Sequence, residues 1–265
     1  MTSAVRPQRG LVVASAAAAG AILLVTVLAS RGAERRPSCR SALIPAYVPP
    51  DAIVELVRAS SRPRLVVINP ANGPGADAEP AYRFAVRAAR GTGARVLGYV
   101  PTTYGSRPAA DVAADIDRYT SWYGVDGIFL DEASHDVAQL RYYAALARHV
   151  HAAPHRLVVL NPGAVPAPEY FDVADVVVTF EGPYAGYGAA VAAMPAWVRE
   201  EPPERVAHLV YGASREQAMA AVRHPQKAGY LYVTSGTMPD PWRTVPSFLH
   251  EEERGLEACS CAPRS

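Results

Sequence analysis

Several kinds of residue and motif are scarce or missing in this chain, and each gap narrows what the protein can do. Its 265 residues hold only three cysteines, Cys39, Cys259 and Cys261, with none between the first and the last two. No histidine or fourth cysteine stands near them at ligand spacing, so no metal site is expected there, and nothing else in the chain calls for a cofactor. Charge of one sign is also lacking: 26 Lys and Arg balance 25 Asp and Glu, which leaves no electrostatic footprint for nucleic acid. Neither phosphate-binding glycine fingerprint occurs, because the glycines of NPANGPG (69–75) have the wrong spacing and mark a loop. No serine sits in a nucleophile elbow, no HExxH or paired-histidine motif occurs, and His135 beside Asp136 reads as a helix start rather than a base.

At the N-terminus Arg6 and Arg9 precede an uncharged run rich in Ala, Val and Leu, Leu11 to Ala29, and Arg31, Arg35 and Arg36 follow it. The run is long for a signal-peptide core and just sufficient for a membrane span, and Ala29 offers a poor cleavage site, so a cleaved signal and an uncleaved anchor both fit. The expected organisation is a cytoplasmic basic segment at 1–10, a signal peptide or transmembrane anchor at 11–30, a linker at 31–40, a folded body at 41–256 and a tail at 257–265. Such a leader sends the body outward, giving an extracytoplasmic protein that is either membrane-anchored or secreted. If the body brings its ends together, Cys39 could bond Cys259 or Cys261, with one thiol left over.

Within the body, short apolar runs at 42–48, 64–68, 95–100, 128–130, 156–160, 174–180, 205–211 and 229–233 show no polar alternation. Strands of that kind have both faces covered, as in a parallel sheet under helices. Helical spacing recurs between them, at 51–59, 79–90, 111–123, 137–151 and 215–223, and again at 241–256. Eight strands alternating with helices, and no nucleotide-type turn after the first, predict an α/β protein: a single-domain (β/α)8 TIM barrel behind an N-terminal signal or anchor helix. Residues 162–169 are too poor in helix formers for a full helix, so one outer helix should be short or absent.

In such barrels the ligand face is built from the carboxyl ends of strands. The stretch DGIFLDEAS (126–134) delivers Asp131 and Glu132 there, and the sixth strand delivers Glu181. Asp131 alone could be no more than a cap for the next helix. With its neighbour and Glu181 it forms an acidic set of the kind glycoside cleavage needs, one carboxyl protonated and one ionised across the mouth. Because side chains alternate along a strand, Asp131 and Glu132 cannot both point inward if the strand is regular through both.

Tyrosine outnumbers phenylalanine 14 to 5, and Tyr47, Tyr99, Tyr104, Tyr184, Tyr211 and Tyr232 lie within or just past strand ends. A phenol ring there offers an apolar face to pyranose C–H groups and a hydroxyl to their oxygens, although some of the six should be ordinary core residues. Trp242 reads either as a further platform or as a packed helix-start aromatic. Asparagine before proline, as in INPANGPG and LNPG, is a common turn starter; at the rim the amides of Asn69, Asn72 and Asn161 also suit sugar hydroxyls. The expected partners are a polysaccharide and, if the leader is uncleaved, a membrane; the sequence does not specify an oligomeric state.

In their order along the chain, LVVINPANGPG, RVLGYVPTTYGSR and YGVDGIFLDEAS resemble the spherulin-4 family, a group of barrel proteins that includes glycoside hydrolase family 135. The resemblance runs over roughly 43–249. It implies metal-independent, endo-acting hydrolysis of polymers rich in α-1,4-linked N-acetylgalactosamine, and by motif it places the family's acids on Asp131, Glu132 and Glu181, with Asn161 nearby. The resulting expectation is an extracytoplasmic endo-glycosidase for a galactosamine-containing exopolysaccharide. Asp131 would serve as nucleophile, or as supporting carboxylate for an assisting N-acetyl group, and Glu181 or Glu132 as proton donor. The rival is a non-catalytic, surface-tethered carbohydrate-binding barrel, which would keep the tyrosines and asparagines without needing a proton donor.

Overall fold

The computed structural model describes residues 40–59, 64–223 and 228–261, with side chains as far as 256. The expected leader and Cys39, with any disulfide it makes, lie outside the described residues. Eight parallel strands run in sequence order around one sheet: β1 (Ala42–Ala46), β2 (Arg64–Ile68), β3 (Arg95–Pro101), β4 (Gly127–Asp131), β5 (Leu157–Leu160), β6 (Val176–Pro183), β7 (Val206–Tyr211) and β8 (Tyr230–Val233). The sheet closes where Ser41, just before β1, bridges to Tyr230. Higher on that seam the backbone N–H of Val233 is met not by a strand but by the buried carboxylate of Glu252, at 2.8 Å. The chain is therefore the (β/α)8 barrel its strand pattern implies.

The strands form because their residues tolerate burial on both faces, and RLVVI of β2 is buried at every position. The helices form because apolar residues recur at helical intervals. In α2 (Pro80–Gly91) the buried set is Tyr82, Ala85, Val86 and Ala89, and in α4 (Leu140–His151) it is Tyr143, Leu146, Ala147 and Val150. Of the remaining outer helices, α1 covers Pro50–Arg58 and α3 covers Ala109–Arg118, with one wide turn, Tyr119–Tyr123, completing the stretch expected at 111–123. Between β5 and β6 only a short 3-10 turn, Pro168–Asp172, stands where an outer helix would be, in line with the composition of that stretch.

Two features depart from the sequence reading. A helix, α5 (Tyr184–Ala193), follows β6 where none is expected; it buries only Tyr187 and is built from Gly and Ala, so no apolar stripe announces it. It leads to α6 (Ala196–Glu200), and α7 (Arg215–Arg223) lies between β7 and β8. The last helix, α8, spans Leu249–Cys261 instead of starting at 241. Pro241 and Pro246 interrupt that span, and the buried rings of Trp242 and Phe248 hold residues 241–248 as a loop folded onto the core.

Candidate active site

The carboxyl ends of the strands enclose an open cavity of about 940 Å³. Its wall includes all three expected acids, Asp131, Glu132 and Glu181, and also Tyr47, Asn69, Asn72, Tyr99, Tyr104, Asn161 and Tyr211.

The acids are organised by Asn161, which directly follows β5, the strand between those that carry Asp131 and Glu181. Its amide nitrogen donates one hydrogen bond to Asp131 Oδ1 at 2.7 Å and one to Glu181 Oε2 at 2.5 Å. Its amide oxygen accepts from the backbone N–H of Gly163 at 3.1 Å, which fixes which end of the amide faces the carboxylates. Gly163 has φ +68, a left-handed conformation that suits glycine, and its carbonyl in turn accepts from the Glu181 N–H at 3.1 Å. The LNPG turn therefore clasps Glu181 by main chain and side chain together. Since one nitrogen bonds both acids, the two carboxyl oxygens it touches lie no more than about 5 Å apart.

Asp131 and Glu132 both reach the cavity because the strand does not stay regular through them. Glu132 takes φ +48, an uncommon conformation for a residue with a side chain, and this kink cancels the alternation that would have sent it away. The kink is over-determined by its neighbours. The Thr102 N–H donates to the Asp131 carbonyl at 2.9 Å, its hydroxyl shares one proton between the carbonyls of Asp131 (2.9 Å) and Glu132 (2.8 Å), and the Tyr104 N–H donates to the Glu132 carbonyl at 2.7 Å. Behind them the Tyr143 hydroxyl, 2.9 Å from the Thr102 hydroxyl, accepts from the Ser134 N–H at 2.8 Å. Asp136, not Asp131, caps the turn leading into α4, with its side chain accepting from Ala138 N–H at 2.9 Å.

Burial pushes the Glu181 carboxyl up to about 7; the nearby Asp131 charge adds to the rise, and hydrogen bonds from Asn161 and the Trp242 indole oppose it. Asp131 is raised by burial too, but the Tyr99 hydroxyl, the Asn161 amide and the Glu132 backbone N–H stabilise its ionised form. Near neutral pH Glu181 can therefore carry a proton, while the three hydrogen bonds to Asp131 work against its protonation. Tyr99 itself is held well above the ordinary tyrosine value by burial and by Asp131, so it remains a donor.

Aromatic rings wall the acids on two sides. Tyr47 meets Tyr99 edge-on with centroids 5.3 Å apart, and Tyr99 lies stacked at 6.5 Å on Phe129. Opposite, Tyr211 and Trp242 pack edge to face at 6.1 Å. Asn69 accepts from the Gly73 N–H at 3.0 Å and so braces the loop after β2, while Tyr104, 63% exposed, forms part of the outer rim.

Three expectations change. Tyr232 is buried under the loop after β8, its ring 5.9 Å from Trp242, and is not in the cavity wall. Tyr184 opens α5 and packs against the core instead of the cavity. Asn161, expected to meet sugar, has its amide N–H groups turned to the two acids. What the sequence reading missed is the loop from Met238 to Arg243, which lines the cavity and brings Trp242 to Glu181; assigning 241–256 to a helix concealed it. Among the described residues no group of three or more His, Cys, Asp or Glu side chains is placed to hold a metal ion.

The chain is 29% identical over 234 residues to Spherulin-4 of Physarum polycephalum, covering 82% of this chain and 70% of that protein. Among solved structures it superposes on Sph3 of Aspergillus clavatus, determined in complex with GalNAc, with a TM-score of 0.72 and 24% identity, covering 83% of this chain and 99% of the other. A maltogenic alpha-amylase, AmyB of Thermotoga neapolitana, shares the barrel more distantly, with a TM-score of 0.50 and 11% identity over 83% of this chain and 75% of its own. The family model for spherulation-specific family 4 matches residues 41–252, essentially the whole barrel, and the chain belongs to that family.

Proposed function

We propose that this barrel is a glycoside hydrolase that cleaves an amino-sugar polysaccharide within the chain, using Asp131 and Glu181. The observation that carries the reading is the shared Asn161 amide, which gathers two carboxyls, one of them pushed up to about 7 by burial, at the mouth of one cavity. Glu181, with its raised value, protonates the departing glycosidic oxygen. Asp131 attacks the anomeric carbon, or holds the N-acetyl group of the sugar if that group attacks instead. Glu181, now ionised, then takes a proton from the water that releases the product. Glu132 lies beside them as a further polar contact for the sugar.

The spacing supports a retaining course. Two bonded oxygens held within about 5 Å of each other fall short of the roughly 6.5–9.5 Å at which inverting pairs stand to admit a water between them, which leaves the closer spacing of a nucleophile and acid pair. For the substrate, the GalNAc-bound Sph3 favours a polymer that contains N-acetylgalactosamine, and an α-1,4 linkage is what the resemblance to the spherulin-4 family implies. The open mouth and the exposed rim residues Tyr104 and Met238 suit a chain that extends past both sides of the cleft. The arginine-flanked apolar run at 11–29 supports action outside the membrane, by a tethered or secreted protein.

The test is incubation of the wild type, Asp131→Asn and Glu181→Gln with galactosamine polymers of graded acetylation. Products are read by mass spectrometry, and the first-formed anomer by proton NMR. Oligosaccharides of the α-anomer from the wild type alone would bear out the reading. Binding without release of fragments would favour the sugar-holding barrel.

A further inference from the structure

Glu181 faces the cavity only because β6 is irregular. Val177 and Val178 stand level with Val206 and Ala207 of β7, but the next level pairs are Phe180 with His208 and Glu181 with Leu209, so Thr179 has no counterpart. Thr179 is the extra residue of a β-bulge. Three positions separate Val178 from Glu181, and in a regular strand an odd separation puts two side chains on opposite faces. Here their partners, Ala207 and Leu209, are two apart, so Val178 and Glu181 share the inner face.

Phe180 correspondingly turns to the outer layer. Its ring lies 5.0 Å from that of Tyr187 on α5 and 6.3 Å from that of His208, and a Cβ added at Gly182 would come within 2.9 Å of it. Without the bulge, Thr179 would pair with His208 and each later residue would slip by one, sending Phe180 into the mouth and Glu181 out toward α5.

The bulge is gripped from outside the barrel by His208. Its Nε2 lies 3.1 Å from the Thr179 hydroxyl and its Nδ1 3.0 Å from the Tyr187 hydroxyl, and all three residues are buried. A neutral imidazole offers one donor and one acceptor, and two hydroxyls satisfy either tautomer. His208 thus touches the bulged residue, the displaced phenylalanine and the helix that covers both.

We propose that His208 is a positioning residue for Glu181: from the outer layer it locks the Thr179 bulge and thereby turns the Glu181 carboxyl into the cavity. The catalytic consequence rests on Glu181 being the proton donor, whereas the structural consequence does not.

The experiment therefore has a readout that needs no substrate. The Glu181 carboxyl is titrated by carbon NMR, assigned by its loss in Glu181→Gln, in the wild type, His208→Ala, His208→Gln and Thr179→Val. His208→Ala and Thr179→Val should move the Glu181 titration away from its wild-type position and lower kcat by about tenfold or more with KM little changed. His208→Gln, which keeps hydrogen-bonding capacity, should recover most of the loss. Deleting Thr179 from the His208→Ala protein should restore the titration and kcat, because a regular strand one residue shorter turns Glu181 inward unaided; a general loss of packing would not be repaired this way. Folded His208→Ala with wild-type Glu181 titration overturns the proposal. Should His208→Ala not fold, Thr179→Val decides in the same way: a shifted titration supports the lock and an unchanged one refutes it. If the wild type cleaves no polymer while the titration shifts as expected, the positioning role stands and only the hydrolase reading falls.

Discussion

Replacing Glu181 by Gln should cut turnover steeply and, at the same time, stabilise the protein at high pH. In the fold the carboxyl binds its proton up to about 7, against 4.5 for the ordinary group. A carboxyl raised in this way leaves stability untouched below about pH 4, where both states hold the proton. It lowers stability progressively between about pH 4.5 and 7, where only the folded state does, and imposes a constant cost above that range. At about 1.4 kcal/mol per unit the shift is worth about 3 kcal/mol, and because the mouth is open to water we expect about 1–3 kcal/mol to be realised. Glutamine mimics the protonated form at every pH. Denaturant unfolding of wild type and variant should therefore agree at about pH 4, apart from a fixed offset, and diverge to about 1–3 kcal/mol in favour of the variant by about pH 8. Turnover should fall by about 10²–10⁴-fold, the usual weight of a placed general acid. A stability difference that stays flat from about pH 4 to 8 would refute the assignment of the raised carboxyl to position 181.

Asn161→Ala removes the donor that both acids share, so the titrations of Asp131 and Glu181 should both move up and kcat should fall by about 10–100-fold, as expected for lost hydrogen bonds to charged groups. Trp242→Phe deletes an indole N–H that favours the ionised form of Glu181; the basic limb of the kcat profile should move to higher pH, which a pH–rate series checks. Tyr143→Phe leaves the buried Ser134 N–H without its acceptor, and calorimetry or urea unfolding should show a loss of about 1–3 kcal/mol together with weaker substrate binding as the turn carrying Glu132 loosens.

The barrel was legible because it is written in local patterns: buried runs such as RLVVI and LVVL and helical stripes such as that of α2 are each decided by residues within a few positions of one another. The acids were legible as strand ends. Their mutual geometry was not, because it depends on exceptions to the strand pattern. The kink at Glu132 is held by Thr102 and Tyr104 from the preceding strand's loop, and the bulge at Thr179 by His208 from the following strand. Neither contact leaves a mark at the kinked or bulged residue itself. Tyr232 was misplaced for a related reason: a tyrosine near a strand end looks the same in sequence whether the next loop leaves it open or, as here, folds a tryptophan over it.

The most direct test of the convergence of Asp131 and Glu181 on one bond is a crystal structure of Glu181→Gln bound to an α-1,4-galactosamine oligosaccharide long enough to cross the mouth. The glycosidic oxygen should lie about 3 Å from the substituted side chain at position 181, with the Asp131 carboxylate on the other side of the same sugar, facing its anomeric carbon or its N-acetyl group. An oligosaccharide lying along the rim tyrosines, with no glycosidic oxygen near either position, would contradict a shared catalytic role.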